Sequence, residues 1–96
     1  MVTGFSDGNN LYNMCQAPMG ELGFSNCMEY VAGVSDAIQA YEAAGIHTVC
    51  LVNQITKGQE HDVVLNWLKA HPQNRHLQAA NLVYAALSEA FPCAKP

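Results

Sequence analysis

Charged residues are scarce in this sequence, and positively charged residues are the scarcest. Only 12% of the 96 residues are charged, and four Lys and Arg stand against eight Asp and Glu, for a formal net charge of −4. Nucleic acids and anionic membranes attract clustered positive charge, so the composition disfavours both as partners and favours a basic protein. No segment approaches the roughly 18 unbroken apolar residues of a membrane span, so we expect no membrane insertion.

Several motifs of catalytic and metal sites are also missing. The sequence has no H-E-x-x-H and no glycine-rich phosphate loop. Its four histidines are poorly spaced for a shared site: His71 and His76 straddle Pro72 and would lie about 140° apart on a helix. We therefore predict no catalytic residue, no metal ligand and no cofactor, and we expect the protein not to be an enzyme.

The length permits one hydrophobic core and not two. At 96 residues, of which half are apolar, a second core would leave each half too small for burial to outweigh chain entropy. The same apolar content argues against disorder. We predict a single domain over residues 1–96, with its core at about residues 7–93.

The four cysteines indicate the cellular compartment of the protein. Cys15, Cys27, Cys50 and Cys93 are widely spread and form no C-x-x-C pair, which fits a zinc or thioredoxin-type site poorly and two disulfides well. Disulfides indicate an oxidising compartment, so we predict the periplasm or the cell exterior. The sequence lacks the basic and apolar opening of a signal peptide, and we expect that a leader has been removed. The alternative is a cytosolic protein with four buried thiols.

Apolar periodicity predicts helices. The first helix spans about Asp7 to Cys15 and the second about Asn26 to Ala44, while the best strand candidate, Thr48 to Val52, is interpreted as loop. The third helix opens with a capping box at Thr56 and is broken at His71-Pro72. The fourth runs from about Pro72 to Ala90.

Two of these helices have defined apolar faces. In the second, Asn26 can cap the start, and Gly45 supplies a C-terminal stop. Its core-facing stripe consists of Cys27, Val31, Val34, Ile38 and Tyr41. The core-facing stripe of the fourth helix consists of Leu77, Ala80, Tyr84, Leu87 and Phe91. Small residues line a second stripe on each of the two helices.

The order of helices predicts how the cysteines pair. Four helices joined by short turns favour an all-α, up-and-down bundle. In that arrangement Cys15 and Cys27 lie at one end of the bundle, while Cys50 and Cys93 meet at the other. We therefore predict two disulfides, Cys15 with Cys27 and Cys50 with Cys93.

Short motifs follow one another along nearly the whole chain. They are Gly8-Asn9-x-Leu11, Cys15, Cys27-x-x-Tyr30-x-x-Gly33-x-x-Asp36, Thr56-x-Gly58-Gln59, Asp62-Val63-Val64, His71-Pro72, Arg75, Ala86-Leu87 and Ala90-Phe91-Pro92-Cys93. Their order and spacing resemble those of a known family, the Tai-type immunity proteins, or resistance-associated proteins, of bacterial type VI secretion. Two positions depart from the family pattern: Leu51-Val52 stands where a proline often follows the third cysteine, and Glu60 stands where an apolar residue is usual.

The resemblance implies a periplasmic, all-helical protein, commonly a homodimer, that protects a cell against a toxin delivered by neighbouring or sister cells. In the best-known cases the toxin is a peptidoglycan amidase with a catalytic Cys and His, and the immunity protein occludes its cleft. A rigid inhibitor suits this role because it loses little entropy on binding. The alternative from another class is a small periplasmic acid-protective chaperone, which would expose apolar surface as its carboxylates protonate.

Two surfaces are candidates for these contacts. Arg is enriched at interface hot spots and a protruding turn can enter a cleft, which favours the polar face of the third helix and the corner after it. Small residues permit close packing, which favours them for a dimer, although Ala is also simply a good helix former. The predicted toxin-binding residues are Gln59, Asp62, Asn66, Lys69, His71, Gln73, Asn74 and Arg75; ordinary solvated residues are the alternative. The predicted dimer residues are Gly33, Ala37 and Ala40, or Ala79, Leu82 and Ala86.

Overall fold

The protein is a small all-α bundle, as predicted. The computed structural model describes residues 6–43, 49–50 and 55–93, and within these ranges it contains helices and one isolated β-bridge, Asp7 with Gln78, but no strand. The four α-helices are α1 (Gly8–Cys15), α2 (Leu22–Ala43), α3 (Lys57–Ala70) and α4 (Ala79–Ala90), and a short 3-10 helix, Pro72–Asn74, lies between α3 and α4.

Both predicted disulfides are confirmed. Cys15 is bonded to Cys27, which joins the end of α1 to the first turns of α2. Cys50 is bonded to Cys93, which joins the segment before α3 to the residues after α4. The second link is reinforced by the backbone, since the Cys50 N–H donates to the Phe91 carbonyl at 2.9 Å. Each disulfide therefore ties together two segments that are separated in the sequence.

Helix α2 begins at Leu22, four residues before the predicted start, so the cap assigned to Asn26 is wrong. The reason is the turn that precedes the helix. Glu21 donates its N–H to the Pro18 carbonyl at 3.1 Å, Gly20 has a φ of +96°, and the Glu21 carbonyl already accepts the N–H of Ser25 at 3.3 Å. The residues after this turn therefore already have helical geometry before Asn26 is reached. The predicted helix end at Ala44-Gly45 and most of the Thr48 to Val52 loop lie outside the described residues.

The start of α3 follows the predicted capping box. The N–H of Gln59 donates to Thr56 Oγ1 at 3.1 Å, and the N–H of Thr56 donates to Gln59 Oε1 at 2.8 Å. Two otherwise unpaired amides of the first turn are satisfied in this way. The helix ends at Ala70, directly before His71-Pro72.

Helix α4 begins at Ala79 rather than at Pro72, because the chain before it pairs with the start of α1. The carbonyl of Arg75 accepts the N–H of Asn9 at 2.8 Å, and the carbonyl of Leu77 accepts the N–H of Gly8 at 2.9 Å. The Ser6 carbonyl in turn accepts the N–H of Ala79 at 2.9 Å. These long-range bonds hold the segment in turns, and continuous helix from Pro72 is excluded.

The core lies between all four helices. Three residues predicted to face it are exposed instead: Tyr41 by 63%, Leu77 by 45% and Tyr84 by 38% of their surface. Tyr41 and Tyr84 line an open groove between α2 and α4, and Leu77 lies in the segment before α4. The buried apolar residues are Leu11, Cys15, Cys27, Val31, Ile38, Val49, Val64, Leu68, Ala79, Leu82, Val83, Ala86 and Leu87.

Candidate binding surfaces

An open, largely apolar groove of about 880 Å³ runs between α2 and α4. Gly33 and Ala37 lie on its α2 side, and Ala80 lies on its α4 side. The aromatic rings of Tyr41 and Tyr84 add exposed apolar surface to it. An exposed groove with aromatic walls can accept an apolar segment of a partner, because such surfaces are enriched at interfaces.

Gly33 leaves the groove open rather than packing against another part of the chain. A Cβ placed on Gly33 would meet no atom within 4 Å, so the described residues offer no close neighbour that requires glycine. Tyr30 and Glu29 also line the groove on its α2 side, and burial raises the pKa of the Tyr30 hydroxyl. The α2 side of the groove is therefore accessible, and its one acidic side chain, Glu29, pairs with Lys57.

The two sets of predicted dimer residues have different positions. Gly33 and Ala37 line the groove, and Ala40 is exposed on the same helix. By contrast Ala79, Leu82 and Ala86 are 0%, 3% and 1% exposed. The side chains of this second set face the core of their own chain, so they offer no exposed surface to a second copy.

The polar face of α3 is exposed as its periodicity predicts. Gln59, Asp62, Asn66 and Lys69 are all exposed. Gln59 is occupied by the capping box, which leaves Asn66 near the centre of the face and Lys69 near its end. At the beginning of the helix, Lys57 Nζ donates to Glu29 Oε1 at 2.8 Å, and this bond and the Glu29 charge raise the pKa of Lys57. The exposed face therefore belongs to a helix whose start is fixed.

Beneath this face His61 is buried, with 4% of its surface exposed. Its Nε2 lies 3.2 Å from the Cys15 carbonyl oxygen, and its Nδ1 lies 3.2 Å from Asp62 Oδ1. Both partners are acceptors, so both hydrogen bonds form at once only when the ring carries two protons. The Phe24 ring lies 4.7 Å from the imidazole, centroid to centroid. His61 thus joins α3 to the end of α1 and the beginning of α2.

Cys15, Cys27 and His61 also form the group that could hold a metal among the described residues. Their candidate ligand atoms all lie within 4.8 Å of one another. However, the two sulfur atoms are bonded to each other, and a metal site of this kind requires free thiolates. In the disulfide form, the arrangement is a structural junction.

The corner after α3 is held tightly by the residues that sequence analysis assigned to toxin binding. Nδ1 of His71 lies 2.7 Å from the Trp67 carbonyl oxygen, and its ring stacks on the Trp67 indole at a centroid distance of 4.0 Å. Arg75 Nε donates to the Leu68 carbonyl at 2.8 Å. Both side chains therefore cap the end of α3, whereas Gln73 is exposed and Asn74 is half-buried.

The chain also contains the letters of a serine hydrolase motif, G-x-S-x-G, from Gly4 to Gly8. In hydrolases the serine lies on a sharp turn between a strand and a helix. Here Ser6 directly precedes the bridge residue Asp7 and α1, and its carbonyl accepts the Ala79 N–H. Gly4 lies outside the described residues. In the described part of the segment, Ser6 anchors the start of α4 through this hydrogen bond.

Five large apolar residues are exposed that were not predicted to be exposed. Tyr41, Leu77 and Tyr84 were assigned to the core, and Met19 and Leu22 were not assigned. For Met19 a signal existed, since a large apolar residue between Pro18 and Gly20 falls in a turn. No comparable local signal distinguishes an exposed tyrosine from a buried one on an apolar helical stripe.

Comparison with protein families decides the class of this protein. A family model described as Rap1a immunity proteins matches residues 7–93. The chain belongs to the Rap1a immunity protein family. Membership indicates a toxin immunity function and a cognate toxin as partner. The two disulfides of this Rap1a protein fit an extracytoplasmic protein. No described helix is long and apolar enough to cross a membrane. Searches of curated proteins and of solved structures found no significant match.

Proposed function

We propose that this Rap1a protein protects its cell by binding a peptidoglycan amidase delivered by a type VI secretion system and occluding the active site of that toxin. The periplasm, where such an enzyme meets its substrate, is an oxidising compartment in which both disulfides persist. The net charge of −4 favours encounter with a basic toxin. In this proposal the protein acts by binding alone and catalyses no reaction.

The toxin-binding surface in this proposal is the exposed face of α3 with the corner that follows it. The observation that carries it is the anchoring of α3 at both ends. The capping box of Thr56 and Gln59 fixes its start, and Arg75 and His71 bind carbonyl groups of its last turn. A face held in this way loses little conformational entropy when a partner covers it. Asp62, Asn66, Lys69 and Gln73 supply the direct contacts, and His71, Asn74 and Arg75 position them.

The groove between α2 and α4 is the proposed homodimer surface. Gly33 and Ala37 permit close approach of a second copy, and Ala40 extends the same exposed surface. Tyr41 and Tyr84 would bury apolar area that is exposed in the single chain. The two proposed surfaces use different helices, so a dimer could bind toxin on both copies.

Coexpression in the periplasm tests the function. The probes are peptidoglycan amidases of type VI secretion systems, each produced with and without this protein, and wild-type protein is expected to prevent lysis by its cognate amidase. Asn66→Arg places a large charged side chain near the centre of the α3 face and should weaken binding of the catalytically inactive amidase by roughly tenfold or more in calorimetry. Asn13→Arg, at an exposed position on α1, is the matched control and should bind as wild type does.

Two results would contradict these proposals in different ways. Lysis despite coexpression of wild-type protein with the amidase would reject the immunity function against that toxin. Protection by wild type together with equal affinities for Asn66→Arg and Asn13→Arg would leave the function intact and remove the α3 face from the interface.

A further inference from the structure

The turn between α1 and α2 presents the two most exposed large apolar side chains among the described residues. Met19 is 83% exposed and Leu22 is 76% exposed. They lie three residues apart at the tip of one turn. Isolated exposed apolar residues are common on protein surfaces, but two large ones on a protruding turn form a feature that a partner can bury.

This turn is rigid for three reasons that lie in its own sequence. The N–H of Glu21 donates to the Pro18 carbonyl at 3.1 Å, and Gly20, with a φ of +96°, occupies the position where such a turn needs a left-handed residue. The buried disulfide between Cys15 and Cys27 closes the base of the turn. Its apolar tip is therefore held away from the core and cannot fold back onto it without breaking these restraints.

The base of the turn also packs closely. A Cβ on Gly23 would lie 3.0 Å from the Ala17 Cβ, so the segments that enter and leave the turn are in contact. The N–H of Ala17 donates to the Met14 carbonyl at 3.1 Å. A turn fixed at its base and at its tip is ordered before binding, so little entropy is lost when its side chains enter a pocket.

We propose that the Pro18 to Leu22 turn is an apolar plug that enters an apolar pocket on the toxin, beside a basic group that pairs with Glu21. The proposal rests on the proposed immunity function and adds a second point of toxin contact to it. Met19 and Leu22 supply the buried area, while the carboxylate of Glu21 supplies orientation.

The charge on and around the turn favours a protein pocket over a lipid surface as its partner. Glu21 is the only charged residue between Cys15 and Cys27, and the chain as a whole carries a net charge of −4. An apolar tip that binds anionic membranes normally has Lys or Arg beside it, and this turn has none. A pocket with a basic rim complements both the apolar tip and its carboxylate.

The position of the turn places the plug next to the proposed toxin-binding face. The Cys15 carbonyl at its base lies 3.2 Å from His61 Nε2, and Phe24, two residues after the tip, contacts the His61 ring. Asp62, the next residue on α3, belongs to the exposed face and contacts the same imidazole. One toxin molecule can therefore cover the turn and the α3 face together.

The test compares the double variant Met19→Ser/Leu22→Ser with Leu77→Ser, which removes a half-exposed leucine elsewhere. The probe is a catalytically inactive variant of the amidase against which the protein protects in the coexpression test, and affinity is measured by calorimetry. We expect the double variant to bind roughly tenfold to a hundredfold more weakly, with an unchanged melting temperature, and Leu77→Ser to bind as wild type does. We also expect Glu21→Lys to slow association at low salt.

If the turn has no role in toxin binding, or binds another partner, the test gives different results. If wild type binds the amidase and the double variant binds equally well, the plug is rejected while the immunity function stands. If wild type does not bind the amidase, the proposed function fails and the plug fails with it. Binding to vesicles of phosphatidylglycerol and phosphatidylcholine that is lost in the double variant, with unchanged amidase affinity, would assign the turn to lipid. If the double variant differs from wild type only in self-association, measured by sedimentation velocity, the turn binds a second copy of the chain. Each of these last two results also rejects the plug.

Discussion

The guanidinium carbon of Arg75 lies 3.8 Å from the centroid of the Tyr12 ring, and its Nε donates to the Leu68 carbonyl at 2.8 Å. One side chain therefore links α1, the end of α3 and the segment that leads to α4. The guanidinium also caps carbonyl groups at the negative end of the α3 dipole. Arg75 is thus a structural residue of the corner, and any effect of its substitution on toxin binding includes an effect on the fold.

We expect Arg75→Ala to lower the free energy of unfolding by about 2 kcal/mol, because it removes a charged hydrogen bond and a cation–π contact. Urea denaturation at neutral pH measures this loss. Lys69→Ala is the matched control. Lys69 is exposed in the last turn of α3, and its substitution should change the free energy of unfolding by less than about 0.5 kcal/mol. Equal effects of the two substitutions would show that the Arg75 contacts contribute nothing.

The two disulfides should contribute unequally to stability. Their sequence separations are 12 residues for Cys15 with Cys27 and 43 residues for Cys50 with Cys93. In the chain-entropy model these closures contribute roughly 3 and 4 kcal/mol. We expect Cys50→Ser/Cys93→Ser to lower the melting temperature more than Cys15→Ser/Cys27→Ser, and full reduction to unfold the domain at 37 °C. Calorimetric scans of the two double variants check the order, and the reverse order would contradict the model for this chain.

Features that depend on neighbours in the sequence could be predicted, and features that depend on distant partners could not. The capping box at Thr56 was found because both of its hydrogen bonds join residues three apart. The start of α4 was misplaced because the carbonyls of Arg75 and Leu77 bond to amides of α1, some 65 or more residues earlier in the chain. Asn26 is a good cap in isolation, but the turn at Gly20 starts the helix before it.

The same distinction applies to the candidate surfaces. Exposure of Asn66 and Lys69 follows from the helical period alone. Exposure of Tyr41 and Tyr84 could not be predicted, because it depends on whether another helix covers an apolar stripe, and here none of the described helices does. The structural role of Arg75 was hidden for the same reason, since Tyr12 lies on another helix.

Glu60 should make stability depend on pH. It is 6% exposed, and its Oε2 accepts a hydrogen bond from Ser35 Oγ at 2.8 Å. Burial raises the pKa of the Glu60 carboxyl, the Ser35 hydrogen bond opposes this, and the charge of Asp36 adds to it. The folded protein therefore holds this proton more tightly than the unfolded chain does. Protonated Glu60 therefore contributes to the stability of the fold. This contribution is complete below the ordinary pKa of Glu and is lost as the pH rises through the raised pKa.

We expect Glu60→Gln to stabilise the protein at pH 7 by roughly 1 kcal/mol, or about 4–8 °C in melting temperature, because the amide can still accept the Ser35 hydrogen bond without a buried charge. The variant should also lose most of the change in stability between the ordinary Glu pKa and neutral pH. Thermal melts at pH 5 and 7 measure both effects. Glu21→Gln, at an exposed position, is the control, and a Glu60→Gln variant less stable than wild type at pH 7 would contradict the argument.

Two glycines should respond oppositely to the same substitution. A Cβ on Gly8 would lie 2.7 Å from the Arg75 carbonyl oxygen and 2.8 Å from its Cα, and it would also meet the Leu82 side chain. Because backbone atoms cannot easily move away, Gly8→Ala should destabilise the protein by about 1–3 kcal/mol. Gly33 has open space around it in the middle of α2. Gly33→Ala should therefore stabilise the single chain by about 1 kcal/mol through helix propensity.

Gly33→Ala also tests the proposed dimer, because stability and self-association should change in opposite directions. If a second copy packs closely over the α2 side of the groove, an added methyl group weakens the dimer while the single chain gains stability. Urea denaturation at low protein concentration measures the first effect, and sedimentation velocity over a range of concentrations measures the second. Ala32→Ser, at a half-buried position beside Gly33 on α2, is the control for the dimer. A dimer of unchanged affinity in Gly33→Ala would remove this part of the groove from the dimer interface.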